Sequence, residues 1–270
     1  MPVKELNGVK VWQKRDRAAN LIRWFVGFVG IVVVFLCWKV ISDATIWVFV
    51  LDAPQQAGDM ISRMFPPRWS YLNELWKPLW DTINIATLGT IIGVSIAFFV
   101  SFLAARNTTP HPIVRSIALL VIVTSRSVNS LIWGLLLVAI IGPGVLAGVI
   151  AIGLRSIGFV GKLFYEAIEE IDIEPVEAIT ATGASSQQVL TYGILPQVLP
   201  AFVGTSVFRW DINIRESTVI GLVGAGGIGI SLDASISALK WSQASVIFIV
   251  IFAMVLISEW VSATIRNKII

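Results

Sequence analysis

Charged residues are scarce in this sequence of 270 residues. They make up 14% of it, where a soluble domain carries about 25%. Apolar residues reach 56% and the mean hydropathy is +0.82, which excludes an ordinary soluble enzyme. Cysteine is nearly absent: Cys37 stands alone and cannot close an internal disulfide. Histidine is as rare, and the lone His111 cannot build a His-rich metal site. Zinc hydrolases, thiol–disulfide enzymes and haem proteins with paired axial histidines are thereby disfavoured. No G-x-x-x-x-G-K-[ST] loop occurs, so ATP hydrolysis is not expected of this chain itself. The net charge of +3 is small and its basic residues gather beside apolar runs. That pattern fits membrane orientation rather than nucleic-acid binding. What is abundant agrees: eleven Trp and fourteen Phe suit a bilayer with interfacial anchors.

A helix needs about 20 apolar residues to cross the hydrocarbon core. Six crossings are read, at Leu21–Ile41, Thr82–Ala105, Ile113–Ile141, Val145–Phe164, Gln188–Ile212 and Ser242–Ile265. The third is long and interrupted, with Arg126 and Asn129 in its middle, and Gly142-Pro143-Gly144 turns the chain after it. The first follows a basic segment as a signal peptide would, but no small-x-small cleavage site follows it, so a retained anchor is expected. With the N-terminus inside, the inner segments hold Lys4, Lys10, Lys14, Arg15, Arg17, Arg23, Arg106, Arg115, Lys162, Arg266 and Lys268. The outer segments hold only Lys39, Arg63, Arg68, Lys77, Arg215 and Lys240. This bias predicts both termini in the cytoplasm. The fold class is therefore an all-α integral membrane protein with about six transmembrane helices. It divides into a cytoplasmic segment 1–20, a first helix with its outer connection 21–80, and a core 81–270. The outer stretch 43–81 is expected to be amphipathic or re-entrant.

The inner loop 165–187 is acidic, with Glu166, Glu169, Glu170, Asp172, Glu174 and Glu177. Pro175 suits the first position of a short helix, and the nearby glutamates suit its positive end. Ala178 and Ala181 offer a face for close docking. Gly183 can end the helix in the left-handed conformation, and Ser185 with Gln188 has capping-box spacing for the next one. An amphipathic connector on the membrane surface has the same periodicity. The string Glu177-Ala178-Ile179, Gly183, Leu195-Pro196 resembles the EAA loop of bacterial ABC-importer permeases. That pattern is Glu-Ala-Ala, three residues, Gly, nine residues, then Ile-x-Leu-Pro. Ile179 here takes the place of the second Ala, and Gly193 that of Ile. The resemblance implies the type I importer permease fold, with a cytoplasmic coupling helix that docks into an ATPase subunit through Glu177, Ala178 and Gly183.

Farther on, Gly224-Ala-Gly226-Gly227-Ile-Gly229 formally matches a dinucleotide fingerprint. No βαβ unit is expected around it, so that reading is rejected. With Arg209-x-Asp211-x-Asn213-x-Arg215 upstream, the string looks like phosphonate-class permeases of the methionine/phosphonate branch, where a glycine-rich structural turn precedes the last span. Charges at membrane depth cost at least ~2.5 kcal/mol, so they face protein or water. Arg209, Asn213 and Glu216 share one helical face, and Asp211 with Arg215 has i, i+4 spacing. Arg126, Asn129, Ser130 and Trp133 would share a face of the third span, and Arg155 is placed to snorkel inward. Two roles remain open for these groups. They either form interhelical ion pairs, or Arg126, Asn129, Arg209, Asp211, Asn213 and Arg215 line an anion path, since a guanidinium offers paired donors to an oxyanion.

The resemblance implies the membrane subunit of an importer for a small phosphorus oxyanion: phosphonate, phosphite, hypophosphite or phosphate. It implies a homodimer in the bacterial inner membrane, two cytoplasmic ATPase subunits that bind ATP and Mg, and an extracytoplasmic substrate-binding protein. This chain itself would hold no cofactor or metal and bind no nucleic acid. A methionine importer is the same-class alternative. A self-sufficient channel or secondary carrier would need no docking loop. A membrane enzyme would want acid–base groups at the interface, and His111 reads as a solvated loop residue.

Overall fold

The computed structural model describes residues 3–6, 8–12 and 17–269. Lys14 and Arg15, counted above with the inner segments, lie outside the described residues. Two compact units follow one another, residues 1–61 and 62–270.

The first unit begins with an antiparallel hairpin of β1 (Val3–Leu6) and β2 (Val9–Trp12), Val3 opposite Trp12 and Leu6 opposite Val9. Gly8 turns it with φ +78°. This short sheet is an addition to a chain expected to be wholly helical. Then α1 (Arg17–Ala44) follows, of which Asn20–Ala44 is long and apolar enough to cross a membrane. Its Trp24, Phe25, Phe28, Phe35 and Trp38 are exposed within this unit, as a lipid-facing helix requires. The next helix, α2 (Trp47–Met64), runs from an apolar start at Trp47–Leu51 into Asp52, Gln55, Gln56, Asp59 and Arg63. It is the amphipathic segment expected within 43–81.

The second unit is a helical bundle. After a 3-10 turn at Trp69–Tyr71 come α3 (Leu72–Ala104), α4 (Pro112–Ser127), α5 (Ser130–Ile141) and α6 (Val145–Glu169). Then come α7 (Ile173–Ala181), the single turn α8 (Ser186–Gln188), a π-type stretch Val189–Ile194, α9 (Leu195–Gly221), α10 (Ile228–Ser237) and α11 (Trp241–Ile269). Five described helices can span a membrane, or six if α4 and α5 count as one broken span.

Several boundaries differ from the sequence reading. The second span begins at Leu72 rather than Thr82, because Lys77, Pro78 and Asp81 are accommodated on a helix of 33 residues. The interrupted third span is two helices bent by 88°. Val128 and Asn129 are extended there, and the Asn129 side chain caps α5 by accepting the Leu131 N–H. Arg126 therefore does not share a helical face with Ser130 and Trp133. The fifth span runs on to Gly221, so Arg215 is helical rather than in an outer connection.

Small residues set the bundle's spacing. Gly89 and Gly93, one G-x-x-x-G step on α3, pack on α6 so closely that a Cβ at Gly93 would stand 2.5 Å from Ser156 Cβ. A Cβ at Gly89 would stand 2.7 Å from Ile152 Cγ2. Lipid tails give apolar helices little reason to associate, so such backbone approach is a main source of packing energy in a bilayer. At one end of α3, α6 and α9 the gap is filled by aromatics. Phe164 stacks on Phe202 at 3.8 Å, with Phe98 and Phe102 edge-on to Phe202.

Candidate functional site

The polar residues of α9 divide between two faces of that helix. On one face, Arg209 is 1% exposed. Its Nε donates to Ser156 Oγ at 3.0 Å, its NH2 reaches Glu216 Oε2 at 3.3 Å, and its guanidinium lies 5.0 Å from the Phe159 ring centroid. Asn213, fully buried, donates to Thr90 Oγ1 at 2.7 Å and to the same Ser156 Oγ at 3.0 Å. Glu216 is shared: Arg155 Nε lies 3.4 Å from its Oε1. Arg155 thus turns to a partner on α9 rather than snorkelling inward, because a carboxylate is within reach. The cluster binds α3, α6 and α9 together and carries two guanidinium groups against one carboxylate. Asn213 Oδ1 is buried there without a partner.

On the other face, Arg215 NH2 meets Asp211 Oδ2 at 2.6 Å, and Ser258 of α11 donates to Asp211 Oδ1 at 2.7 Å. Asp211 is 4% exposed, so its two partners supply the counter-charge and donor that its burial demands. The sequence-predicted set is therefore not one lining. Arg209 and Asn213 belong to one network, Asp211 and Arg215 to another. Arg126 lies in the last turn of α4, exposed and without an ion pair among the described residues, and Asn129 is spent as a helix cap. The joint next to Arg126 is tight. Ser125 Oγ donates to Leu154 O and accepts the Gly158 N–H at 2.8 Å. Each of Arg126 and Arg155 is the next residue after a partner in that joint. Ser156, Thr90 and Ser258, the neutral members of these networks, were not legible. Each lies far along the chain, and a hydroxyl on an apolar helix carries no pattern of its own. The G-x-x-x-G step on α3 is a signal of close helix packing there, but it does not name Ser156 as the residue across the contact.

The glycine string joins α9 to α10 and is clamped on three sides. Gly224, Gly226 and Gly227 have φ of +88°, +92° and +77°. Gly144 N donates to Gly224 O at 3.0 Å, and Ile228 N donates to Thr82 Oγ1 at 2.8 Å. A Cβ on Gly227 would stand 2.6 Å from that same hydroxyl, and one on Gly226 2.9 Å from Val145 Cα. Gly229 lies against Thr218 O and Gly221. The string is a structural turn locking the starts of α6 and α10 to α3.

At the opposite end of α9 lies α7. Its cap is Asp172, whose side chain accepts the Glu174 N–H at 3.1 Å, so Pro175 is the third helical residue rather than the first. The acid was the stronger start signal because its carboxylate satisfies a free N–H, which proline cannot do. Tyr165–Glu169 also belongs to α6, where Glu169 pairs with Arg106 at 3.8 Å and Arg115 at 3.6 Å. Val176 and Ile179 turn inward. Gly193 lies under them, 3.4 Å from Ile179 Cδ1 and 3.5 Å from Val176 Cα when given a Cβ. The two departures from the loop pattern thus compensate: a larger residue at 179 meets a smaller one at 193. Glu177, Ala178 and Gly183 are exposed, and Gly183 has φ +79°. Gln197 of α9 brackets α7 by accepting the Asp172 N–H at 3.0 Å while donating to Gly193 O at 2.7 Å. Ser185 N donates to Gln188 Oε1 at 2.8 Å to start α8. His111 is a cap as well, its Nδ1 accepting the Ile113 N–H.

The family described as binding-protein-dependent transport system inner membrane component matches residues 89–264. The phosphite transport system permease protein PtxC of Stutzerimonas stutzeri is 42% identical over 237 residues, 87% of this chain and 85% of that protein. The phosphate-import permease protein PhnE of Mycolicibacterium smegmatis is 39% identical over 212 residues, 78% of this chain and 40% of that protein. Among solved structures, a chain of the inward-facing MetNI methionine ABC transporter superposes with a TM-score of 0.61 at 19% identity. The superposition covers 76% of this chain and 99% of the other. It shows the fold, that of a type I ABC-importer permease.

Proposed function

Because this chain belongs to the binding-protein-dependent transport system inner membrane components, we propose that it carries a small phosphorus oxyanion across the membrane. Phosphonate, phosphite, hypophosphite and phosphate are the candidate cargoes. The chain is a multi-pass permease, and ATP with Mg is bound by a separate cytoplasmic ATPase. The observation that carries the reading is α7, a capped helix of nine residues that turns Glu177 and Ala178 outward while Val176 and Ile179 fix it to the bundle. A helix so presented serves a docking partner: Glu177 for a basic group, Ala178 for close approach, Gly183 for the turn out of the cleft. The two relatives named for phosphite and phosphate, at 42% and 39% identity, favour the anion over methionine.

The remaining assignments follow from that reading. Both termini lie in the cytoplasm, as the basic residues favour. Two permease copies meet about a two-fold axis, two ATPase subunits dock below, and an extracytoplasmic binding protein delivers the cargo. Of the intramembrane set, Arg126 is the cation with no ion pair among the described residues, and so the group to meet an anion. Arg209, Asp211, Asn213 and Arg215 hold the walls of the path, and Asn129 caps the bend beside it. A translocation site must release what it binds, and an exposed cation with no carboxylate on it suits that better than a paired one.

The test is co-purification in mild detergent with the native neighbouring proteins expressed, followed by ATPase assay with binding protein present. The expected result is an equimolar ATPase partner, lost in Glu177→Arg, and hydrolysis stimulated by phosphite or phosphate but not by methionine. A chain that purifies alone and moves solute in liposomes without ATP overturns the reading.

A further inference from the structure

The second unit holds a cavity of about 310 Å³ apart from both polar faces of α9. Arg63, Arg68 and Lys240 line it together with Ser242 and Gln243, and no carboxylate does. It sits at the start of α11, the positive end of a long helix, where the Gln243 and Ala244 N–H groups already donate to Lys240 O and those of Trp241 and Ser242 remain. Gln243 is the telling residue. It is 9% exposed, and its side-chain amide makes no hydrogen bond among the described residues, although its own N–H is bonded to Lys240 O. The amide faces the cavity rather than being sealed from it, so its donor is open to whatever enters. The surround is preformed. Arg68 N donates to Ser242 O at 3.0 Å, and Lys240 N donates to Ser235 O at 2.9 Å. Leu239 holds φ +54°, a conformation that a side chain of its kind seldom adopts.

We propose that this cavity binds a phosphate-type oxyanion group, either a free phosphorus oxyanion or the phosphate of an anionic lipid headgroup. Three cations supply the charge, and the Gln243 amide and the α11 terminus supply fixed donors. Only its placement on the outer face rests on the topology proposed above; the binding chemistry stands on the cavity.

The experiment uses the full chain in nanodiscs of phosphatidylcholine alone, titrated with inorganic phosphate and read by phosphorus NMR. Discs expose both faces, so neither orientation nor ATPase docking affects the result. A free-oxyanion site gives saturable binding, weakened about fivefold by Lys240→Gln or Arg68→Gln, as neutralising one exposed charge does. Gln243→Glu keeps the shape and abolishes binding. A lipid site gives no phosphate binding in these discs. The wild-type chain then retains phosphatidylglycerol when that lipid is added, and Gln243→Glu does not. Neither ligand binding, or binding unchanged in all three variants, overturns the proposal. Orientation is read separately, by impermeant thiol labelling of Lys240→Cys in a Cys37→Ser background in intact cells. Labelling only after the cells are opened would refute the outer placement and leave the binding result standing.

Discussion

Replacing Glu216 by Gln should harm this bundle more than replacing either arginine it pairs with. Among the described residues, Glu216 is the one carboxylate within ion-pair distance of both Arg209, at 3.3 Å, and Arg155, at 3.4 Å. Removing one partner of a buried pair costs about 3–5 kcal/mol, because the other charge is left uncompensated. Arg209, at 1% exposure, is such a charge, although Ser156 and the Phe159 face remain to it. Arg155 is 28% exposed and can turn toward water, so its loss of a partner adds at most about 1 kcal/mol. The lower end of the range follows, about 3 kcal/mol, or roughly a hundredfold in the folding equilibrium. Arg209→Gln should cost less, since Glu216 keeps Arg155. The double variant should recover part of the Glu216→Gln loss, with a coupling of about 1–2 kcal/mol. Tryptophan fluorescence during titration of a mild detergent with a denaturing one reads all four proteins. A Glu216→Gln midpoint equal to wild type, or an Arg209→Gln midpoint below that of Glu216→Gln, refutes the shared-carboxylate account.

Other outcomes follow from close contacts. Gly227→Ala drives a Cβ onto the Thr82 hydroxyl at a positive φ, and should cost at least about 2 kcal/mol in the same titration. Gly193→Ile should overpack against Ile179 and Val176 and weaken ATPase association, by about 1–3 kcal/mol of local stability. Adding Ile179→Ala should restore association, which pull-down with the ATPase measures. Arg126→Gln, at a residue with no ion pair among the described residues, should leave the stability within about 0.5 kcal/mol of wild type in the detergent titration while lowering uptake in proteoliposomes. Unchanged uptake removes Arg126 from the path.

The sequence revealed spans and pairs that depend on neighbours along the chain. Asp211 with Arg215 and Arg209 with Glu216 stand on one helix at fixed spacing, so geometry follows from numbering. Gly183 ends α7 because its backbone needs a positive φ, which is also local. What could not be read depends on distant segments. Nothing near Ser156 tells that it will receive hydrogen bonds from both Arg209 and Asn213. The 88° bend was foreshadowed only by polar residues at 126–130, since Asn129 reads equally well as a pore group and as a cap. The start of α3 was hidden because Lys77 and Asp81 look like loop residues until a long helix is seen to place them beyond the apolar stretch.

The bracket made by Gln197 has a mechanical consequence. It rivets α7 to the near end of α9 by bonds to Asp172 and Gly193. The 27 residues of α9 form a rod of about 40 Å, whose far end is wedged into the glycine turn against Val145 and Thr82. A shove on α7 has two outlets. Either the π-type stretch Val189–Ile194, wound more loosely than the helix it leads into, yields like a spring, or the rod slides and takes both arginine clusters with it. If α7 is the docking helix proposed above, the stiffness of these six residues sets how far a push on it travels along α9.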